Sequence, residues 1–282
     1  MIPMKILIVT LLFCCFGCKR SAQAPEAPLP AQNMMNVPYG NQPSQALDLY
    51  LPENRGGHTK TIILLHGGGW SGGSRTDLNY LLPMLKAHFP DCAIANMDYR
   101  LATSSSPAFP KQIEDVALAV KHLREADYGI SEDFAFIGAS AGAHLAMLYA
   151  YRYDAARSIS AVASIVGPAD FTDPAYTSSP YFHYGLTPLV GPAPSRPHPE
   201  RYLDVSPAAH VSSRSAPTIL FYGGQDPLIP ASQGPRLKEK LDEFGVASEL
   251  HLYPRAGHGN WDAATMRHMT EQLTAFFRRY LM

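Results

Sequence analysis

The sequence predicts an α/β fold: a mostly parallel, doubly wound sheet flanked by helices, with one Pro- and aromatic-rich, lid-like insertion. Three observations carry this expectation. Continuous apolar runs such as Thr61–Leu65 read as strands buried on both faces, and they alternate with segments of helical period. One such run, Phe134–Ile137, ends in Gly138-Ala139-Ser140-Ala141-Gly142 and passes at once into a helical pattern. Another, Thr61–Leu65, ends in His66-Gly67-Gly68-Gly69-Trp70.

The N-terminus reads as a targeting segment. Lys5 precedes the apolar run Ile6–Gly17, which is too short to span a membrane as a helix and fits a signal peptide over residues 1–17. Cys15-Phe16-Gly17-Cys18 resembles a bacterial lipobox, although Cys15 and Phe16 depart from its usual residues. That resemblance implies lipidation at Cys18 and membrane anchoring on the cell envelope. The alternative is cleavage after Ala22-Gln23-Ala24, which Pro25 disfavours and which would give a periplasmic or secreted form. Residues 18–45, rich in Pro, Ala, Gln and Asn, read as a flexible tether and the approach to the first strand. A single folded domain is expected over 46–282.

Ala46–Leu51 alternates and fits an antiparallel edge strand. A helix is expected from about Asp77 to His88, then a strand over Cys92–Met97. From Pro110 to Glu125 the residues Ile113, Val116, Ala117, Val120 and Leu123 fall on one helical face. Ala161–Val166, Thr218–Tyr222 and Ser248–Tyr253 read as further strands, with a helix carrying Leu237, Leu241 and Phe244 between the last two. A final helix places Met266, Met269, Leu273, Phe276 and Tyr280 on one side. Residues 171–206 break this rhythm. They hold Pro174, Pro180, Pro188, Pro192, Pro194, Pro197 and Pro199 with the aromatic cluster Tyr176, Tyr181, Phe182, His183 and Tyr184. So long an irregular stretch is functional or disordered, and its aromatic content favours a lid or substrate-facing wall.

Composition narrows the class of partner. A formal net charge of -1 gives no reason to expect nucleic acid or an acidic polymer. Of the 4 cysteines, Cys14, Cys15 and Cys18 lie in the leader, so Cys92 alone remains in the domain. It cannot form an internal disulfide and lacks histidines at metal-ligand spacing, so it reads as a small buried hydrophobe.

Gly-x-Ser-x-Gly between a strand and a helix marks Ser140 as a nucleophile, because only small residues let the two elements pass so closely. The new helix aims free N–H groups and its positive dipole end at any oxyanion beside Ser140. The glycine run after Leu65 lacks the spacing of a phosphate cradle, and lets backbone N–H groups approach a substrate oxygen instead. Gly68, Gly69 and Ala141 are the expected oxyanion donors. For the acid, Asp226 ends the run Thr218–Tyr222 in a Gly-Gly-Gln-Asp loop, with Asp170, Asp173 and Asp98 as rivals; Asp98 reads better as an ion-pair or capping residue. Among 11 histidines, His258 follows the last strand and precedes the last helix, where a base is needed. His144 lies too near Ser140 in the chain to reach back and reads as packing or polar support, while His66 reads as a brace for the glycine loop. Trp70 and Trp261 flank the oxyanion loop and the base, and are candidate substrate contacts.

Taken together, HGGGW, DYRL, Gln112–Asp115, Gly-x-Ser-Ala-Gly with His144-Leu-Ala, Gly-Gly-Gln-Asp and Gly-His-Gly resemble α/β-hydrolase esterases. The similarity runs from about Leu47 to Tyr280 and is to hormone-sensitive-lipase-like carboxylesterases and, more closely, to bacterial acetyl xylan and feruloyl esterases. It implies hydrolysis of a small-molecule or polysaccharide ester through Ser140, His258 and Asp226, with no metal or cofactor. Two departures stand out: Ala143 replaces a usual second glycine, and the short N-terminal region leaves little room for a helical cap, which speaks against long-chain lipase activity. Aryl formamidases and small amide hydrolases share HGGGW-type loops and form the alternative within enzymes. A non-catalytic binding protein on the same fold is the alternative outside them.

Overall fold

A computed structural model describes residues 28–178, 182–192 and 199–282. The expected signal segment, Cys18 and Tyr181 lie outside the described residues, as do the side chains of Phe182, His183 and Tyr184. An eight-stranded sheet runs in the order β1-β2-β4-β3-β5-β6-β7-β8. Its strands are β1 (Gln32–Pro38), β2 (Ala46–Leu51), β3 (Thr61–Leu65), β4 (Ala93–Met97), β5 (Phe134–Ala139), β6 (Ile159–Ile165), β7 (Thr218–Gly223) and β8 (Ser248–Tyr253). The first two strands pair antiparallel, as do β2 and β4, and every later pair is parallel.

Alternation along the central strands divides the core in two. Ile63, Leu65, Phe134 and Phe136 face one layer, whereas Ile62, Leu64, Ala135 and Ile137 face the other. The first layer is covered by α2 (Lys111–Glu125), α3 (Ala141–Leu148) and α7 (Gln233–Glu243) through Val116, Leu145 and Leu237. Helices α1 (Leu82–His88) and α8 (Ala263–Tyr280) cover the second through Leu85, Leu273 and Phe276. Strands buried on both faces need such continuous apolar runs, which is why they could be read from sequence.

Five local expectations need correction. Ala46–Leu51, expected at the sheet edge, is antiparallel as read but lies inside the sheet, paired with β1 on one side and β4 on the other. Residues 32–38, expected within the tether, form the edge strand β1. Only Val37 of the strand is buried, so no apolar alternation marks it. What holds it is the backbone ladder to β2, a bulge between Met34 and Val37, and the Asn36 N–H donated to Asp48 Oδ1 at 2.9 Å. The helix expected over Asp77–His88 is split into a 3₁₀ turn, Arg75–Leu81, and α1, because Pro83 has no N–H with which to continue the ladder. Phe244 lies beyond α7 and is exposed, not packed with Leu237 and Leu241. The insertion is mainly helical, holding α4 (Pro174–Thr177), α5 (Phe182–Val190) and α6 (Pro199–Val205), with proline opening α4 and α6.

One close approach positions everything above the sheet. A Cβ built on Gly142 would lie 2.1 Å from the Leu65 carbonyl oxygen and 2.3 Å from that of His66, so α3 sits directly on the end of β3. Ala143, which stands in for the usual second glycine, is accommodated by Gly167, whose own Cβ would come within 2.6 Å of it. All eight residues of α3 are buried, including His144. Trp70 Nε1–H can only donate, so His144 Nδ1 accepts it at 3.1 Å; a carbonyl can only accept, so Nε2–H donates to Val205 O at 2.7 Å. Burial pushes the His144 pKa down to about 4, partly opposed by the Val205 bond.

Gly142→Ala should therefore destabilise the fold by about 3 kcal/mol through overpacking, whereas Gly57→Ala, with nothing near its Cβ, should shift urea unfolding by less than about 0.5 kcal/mol. The buried histidine sets a pH dependence. An unfolded chain binds a proton at His144 below about pH 6.5, while the folded chain refuses it until about pH 4. The stabilisation is complete above pH 6.5 and declines as the pH falls towards 4. Unfolding titrations should show wild type losing its margin over His144→Gln across that window; a constant margin would overturn the assignment.

Candidate active site

Ser140 ends β5 with φ 51° and ψ −118°, a conformation few non-glycine residues adopt. Its N–H donates to Ile165 O at 2.8 Å, and its carbonyl receives the first bond of α3 from His144 N–H at 3.0 Å. The Ala141 N–H therefore precedes the intrahelical ladder at the positive end of the helix.

The Ser140 hydroxyl donates to His258 Nε2 at 2.9 Å, and His258 Nδ1–H donates to Asp226 Oδ2 at 2.7 Å. Asp226 Oδ1 accepts the N–H groups of Leu228 at 2.8 Å and Ile229 at 2.9 Å. Its side chain is 1% exposed against 24% for His258, so the carboxylate is buried with its lone pairs satisfied and the imidazole faces open space. The loops that carry the two residues are laced together: Gly224 N–H donates to Tyr253 O at 2.8 Å and Gln225 N–H to Ala256 O at 2.9 Å. Gly223 permits this, because a Cβ there would stand 2.3 Å from Gly257 O.

The rival acids are committed elsewhere. Asp170 takes a forked pair of bonds from Arg236 at 2.8 and 2.6 Å. Asp173 caps α4 and accepts Ser232 Oγ–H and Gln233 Nε2–H. Asp98, expected as an ion-pair or capping residue, binds the Arg75 guanidinium and accepts its N–H at 2.6 Å.

Gly68 and Gly69 have φ of 111° and 56°, and Trp70 follows at 60°. Among the described residues no acceptor takes the Gly68 or Gly69 N–H, while the Gly68 carbonyl is held by Ser71 and Gly72. His66 braces the loop as expected. It is buried, its ring stacks on Tyr99 at 4.2 Å, its carbonyl accepts the Tyr99 hydroxyl at 2.6 Å, and burial lowers its pKa. Cys92 is likewise buried, and that burial pushes its thiol up to about 11.

Ser140, His258 and the glycine loop open on a cavity of about 1150 Å³ at the carboxyl end of the sheet. Its wall draws on both core layers: Trp70, Phe171, Tyr176 and Leu186 from one, Leu78, Val166, Trp261, Met266 and Met269 from the other. Trp70 and Trp261 thus both border the cavity. The Trp261 indole donates to Gly257 O at 2.9 Å. Val166, with φ 47°, is the strained residue at the end of β6, and nothing in the sequence marked it. Met266 and Met269 were legible only as a core stripe of α8. Phe171 and Tyr176 belong to the insertion, which forms a wall here.

The arrangement joins a hydroxyl, an imidazole able to accept its proton and a carboxylate that fixes the imidazole tautomer, beside unoccupied N–H donors. The BD-FAE family model matches residues 47–241. A probable isoprenylcysteine alpha-carbonyl methylesterase of Arabidopsis thaliana is 26% identical over 242 residues, 79% of this chain and 50% of its own length. A probable carboxylic ester hydrolase of Mycobacterium tuberculosis is 28% identical over 198 residues, 66% of this chain and 45% of its own. This chain therefore spans about half the length of these curated relatives. A truncated carbohydrate esterase from gut microbiota superimposes with a TM-score of 0.70 at 22% identity, covering 90% of this chain and 99% of that one. The fold is that of the α/β-hydrolases, and the chain belongs to the BD-FAE family.

Proposed function

We propose that the chain is a serine esterase of short-chain or aromatic carboxylic esters, acting on acetyl or feruloyl side chains of plant polysaccharide. One observation carries this reading: the unbroken hydrogen-bonded chain from Ser140 through His258 to Asp226, opening on an apolar cavity beside Gly68 and Gly69.

In this reading His258 Nε2 takes the Ser140 proton as Oγ attacks the ester carbonyl carbon. The carbonyl π pair moves onto oxygen, which the N–H groups of Gly68, Gly69 and Ala141 receive. Asp226 stabilises the imidazolium. Collapse of the tetrahedral adduct breaks the bond to the alkoxy oxygen, and His258 donates its proton to the departing alcohol. Water, deprotonated by His258, then attacks the acyl-enzyme and releases the acid, returning the proton to Ser140. The low-dielectric surroundings strengthen each of these interactions.

The substrate class rests on three supports: the carbohydrate esterase whose fold is shared, the family match, and the wall itself. Trp70, Tyr176 and Trp261, with buried Phe171 behind them, give the cavity an aromatic lining suited to a flat acyl group, and exposed Tyr80 stands on the lining, where a sugar ring can stack. Export with lipidation at Cys18 belongs to the same reading and rests on the N-terminal sequence; globomycin-sensitive labelling with a palmitate analogue, lost in Cys18→Ala, tests it.

Ser140→Ala should reduce turnover of p-nitrophenyl acetate roughly 10⁵-fold and abolish fluorophosphonate labelling with the far-UV spectrum unchanged. Asp226→Asn should cost about 10⁴-fold in kcat, because the amide favours the wrong His258 tautomer, while Asp170→Asn should change it little. An inverted order would reassign the acid. Release of acetate and ferulate from acetylated and feruloylated xylan should rival turnover of the small esters. Activity confined to nitrophenyl esters would leave a generalist carboxylesterase and refute the polysaccharide assignment.

A further inference from the structure

We infer that His144 is a positioning residue for the cavity wall: it locks the Trp70 indole in place, ties it to the base of the insertion at Val205, and thereby sets preference for aromatic over acetyl groups. The selectivity part rests on the esterase reading above; the locking of Trp70 does not.

The geometry singles out this histidine. His144 is fully buried, and each ring nitrogen has one fixed partner, Trp70 Nε1 at 3.1 Å and Val205 O at 2.7 Å. Its neighbour Trp70 is held from the backbone as well, since its carbonyl accepts Gln112 Nε2–H at 2.7 Å and Ala102 N–H at 2.8 Å. Backbone anchoring fixes the turn but leaves χ1 and χ2 of the indole free. Within the buried cluster that surrounds it, the Nε1 bond and the edge contacts with His144 and Phe171, at 5.4 and 6.2 Å, give the ring its directional restraint.

The second nitrogen reaches the insertion where that segment is stitched shut. Ser206 Oγ accepts Phe171 N–H at 2.9 Å and donates to Tyr202 O at 2.6 Å, and Ala208 N–H donates to Ala169 O at 3.0 Å. Phe171 and Tyr176, at 5.9 Å, continue the same aromatic wall from that base. One imidazole therefore joins the loop that carries the oxyanion donors to the segment that continues the same aromatic wall. An aromatic acyl group lies along that wall and needs its rings held in one arrangement, whereas an acetyl group touches little of it.

A buried histidine serving stability alone would predict a different outcome, and two near-isosteres separate the two. His144→Asn places an amide oxygen near the position of Nδ1 and can still accept from Trp70. His144→Gln places its amide nitrogen near Nε2, keeps the bond to Val205 and loses the one to Trp70. The protein has 2 tryptophans, so Trp261→Phe leaves Trp70 as the sole tryptophan, which red-edge excitation reads apart from the tyrosines. In that background His144→Gln should raise the acrylamide quenching constant of Trp70 at least threefold, and His144→Asn should leave it near the parental value.

With Trp261 intact, His144→Gln should lower kcat/KM for p-nitrophenyl ferulate about tenfold more than for p-nitrophenyl acetate, chiefly through KM, and His144→Asn, which keeps the Trp70 bond and lacks the one to Val205, should give an intermediate ratio. Equal quenching in the Gln and Asn variants, or an unchanged ferulate-to-acetate ratio in folded His144→Gln, overturns the proposal. If the wild-type chain turned over neither ester, the esterase reading and the selectivity would fall together, and the quenching comparison would still decide the locking of Trp70.

Discussion

The contact between the start of α3 and the end of β3 is the constraint on which the upper surface of this protein depends. With no side chain at Gly142, the helix rests on the carbonyl oxygens of Leu65 and His66. The chain leaving β3 is the glycine loop, and the chain entering α3 is Ser140. A single steric condition thus brings the free N–H groups of two segments, distant in sequence, to one place. It also explains the strain at Ser140: a relaxed backbone would lift α3 away from β3 and separate the loop from the hydroxyl. Strain of about 1–3 kcal/mol is the usual size of such a distortion, and the surrounding buried helix, with all eight residues in the core, is what opposes its relief.

The acid and base reach Ser140 by a different route, through two loops at the far ends of β7 and β8. These strands pair along their whole length from Thr218 with Ser248 to Gly223 with Tyr253. Their register fixes the relative height of Asp226 and His258 before any side-chain contact forms. The buried Asp226 carboxylate would be costly if unpaired, and the Leu228 and Ile229 N–H groups, with the imidazole, meet that demand. Asp170 and Asp173 meet theirs with Arg236, Ser232 and Gln233. Each carboxylate is thereby committed to its own partners, and among the described residues the His258 imidazole pairs with one carboxylate, Asp226.

What could be read in advance follows from where the information sits. Ser140, Gly142, Asp226 and His258 stand out because residue type at fixed distance from a buried strand encodes a backbone event, and buried parallel strands are the plainest signal in the sequence. β1 escaped notice since an edge strand held by its ladder needs no apolar face; the exposed run Gln32–Asn36 reads like tether. The helices of the insertion are hidden by the prolines that make residues 171–206 read as an irregular stretch, yet proline opens α4 and α6. Met266, Met269, Leu78 and Val166 could not be told from core, and physically they are core: the same side chains fill the layer and border the cavity.

That double use bears on where selectivity can change. On the α8 side the cavity wall is continuous with the second core layer, so a substitution at Met269 or Val166 alters packing under the sheet as well as the space above it. On the opposite side the wall is built from Trp70 and from the insertion, whose base is closed by a few hydrogen bonds to Ser206 and Ala169. Trp70, Phe171, Tyr176 and Leu186 are nevertheless buried in the first core layer, so reshaping this side also disturbs packing. A wall shared with the core has to stay in register with the glycine loop, and the buried imidazole of His144, bonded to the Trp70 indole and to the Val205 carbonyl, joins its two parts.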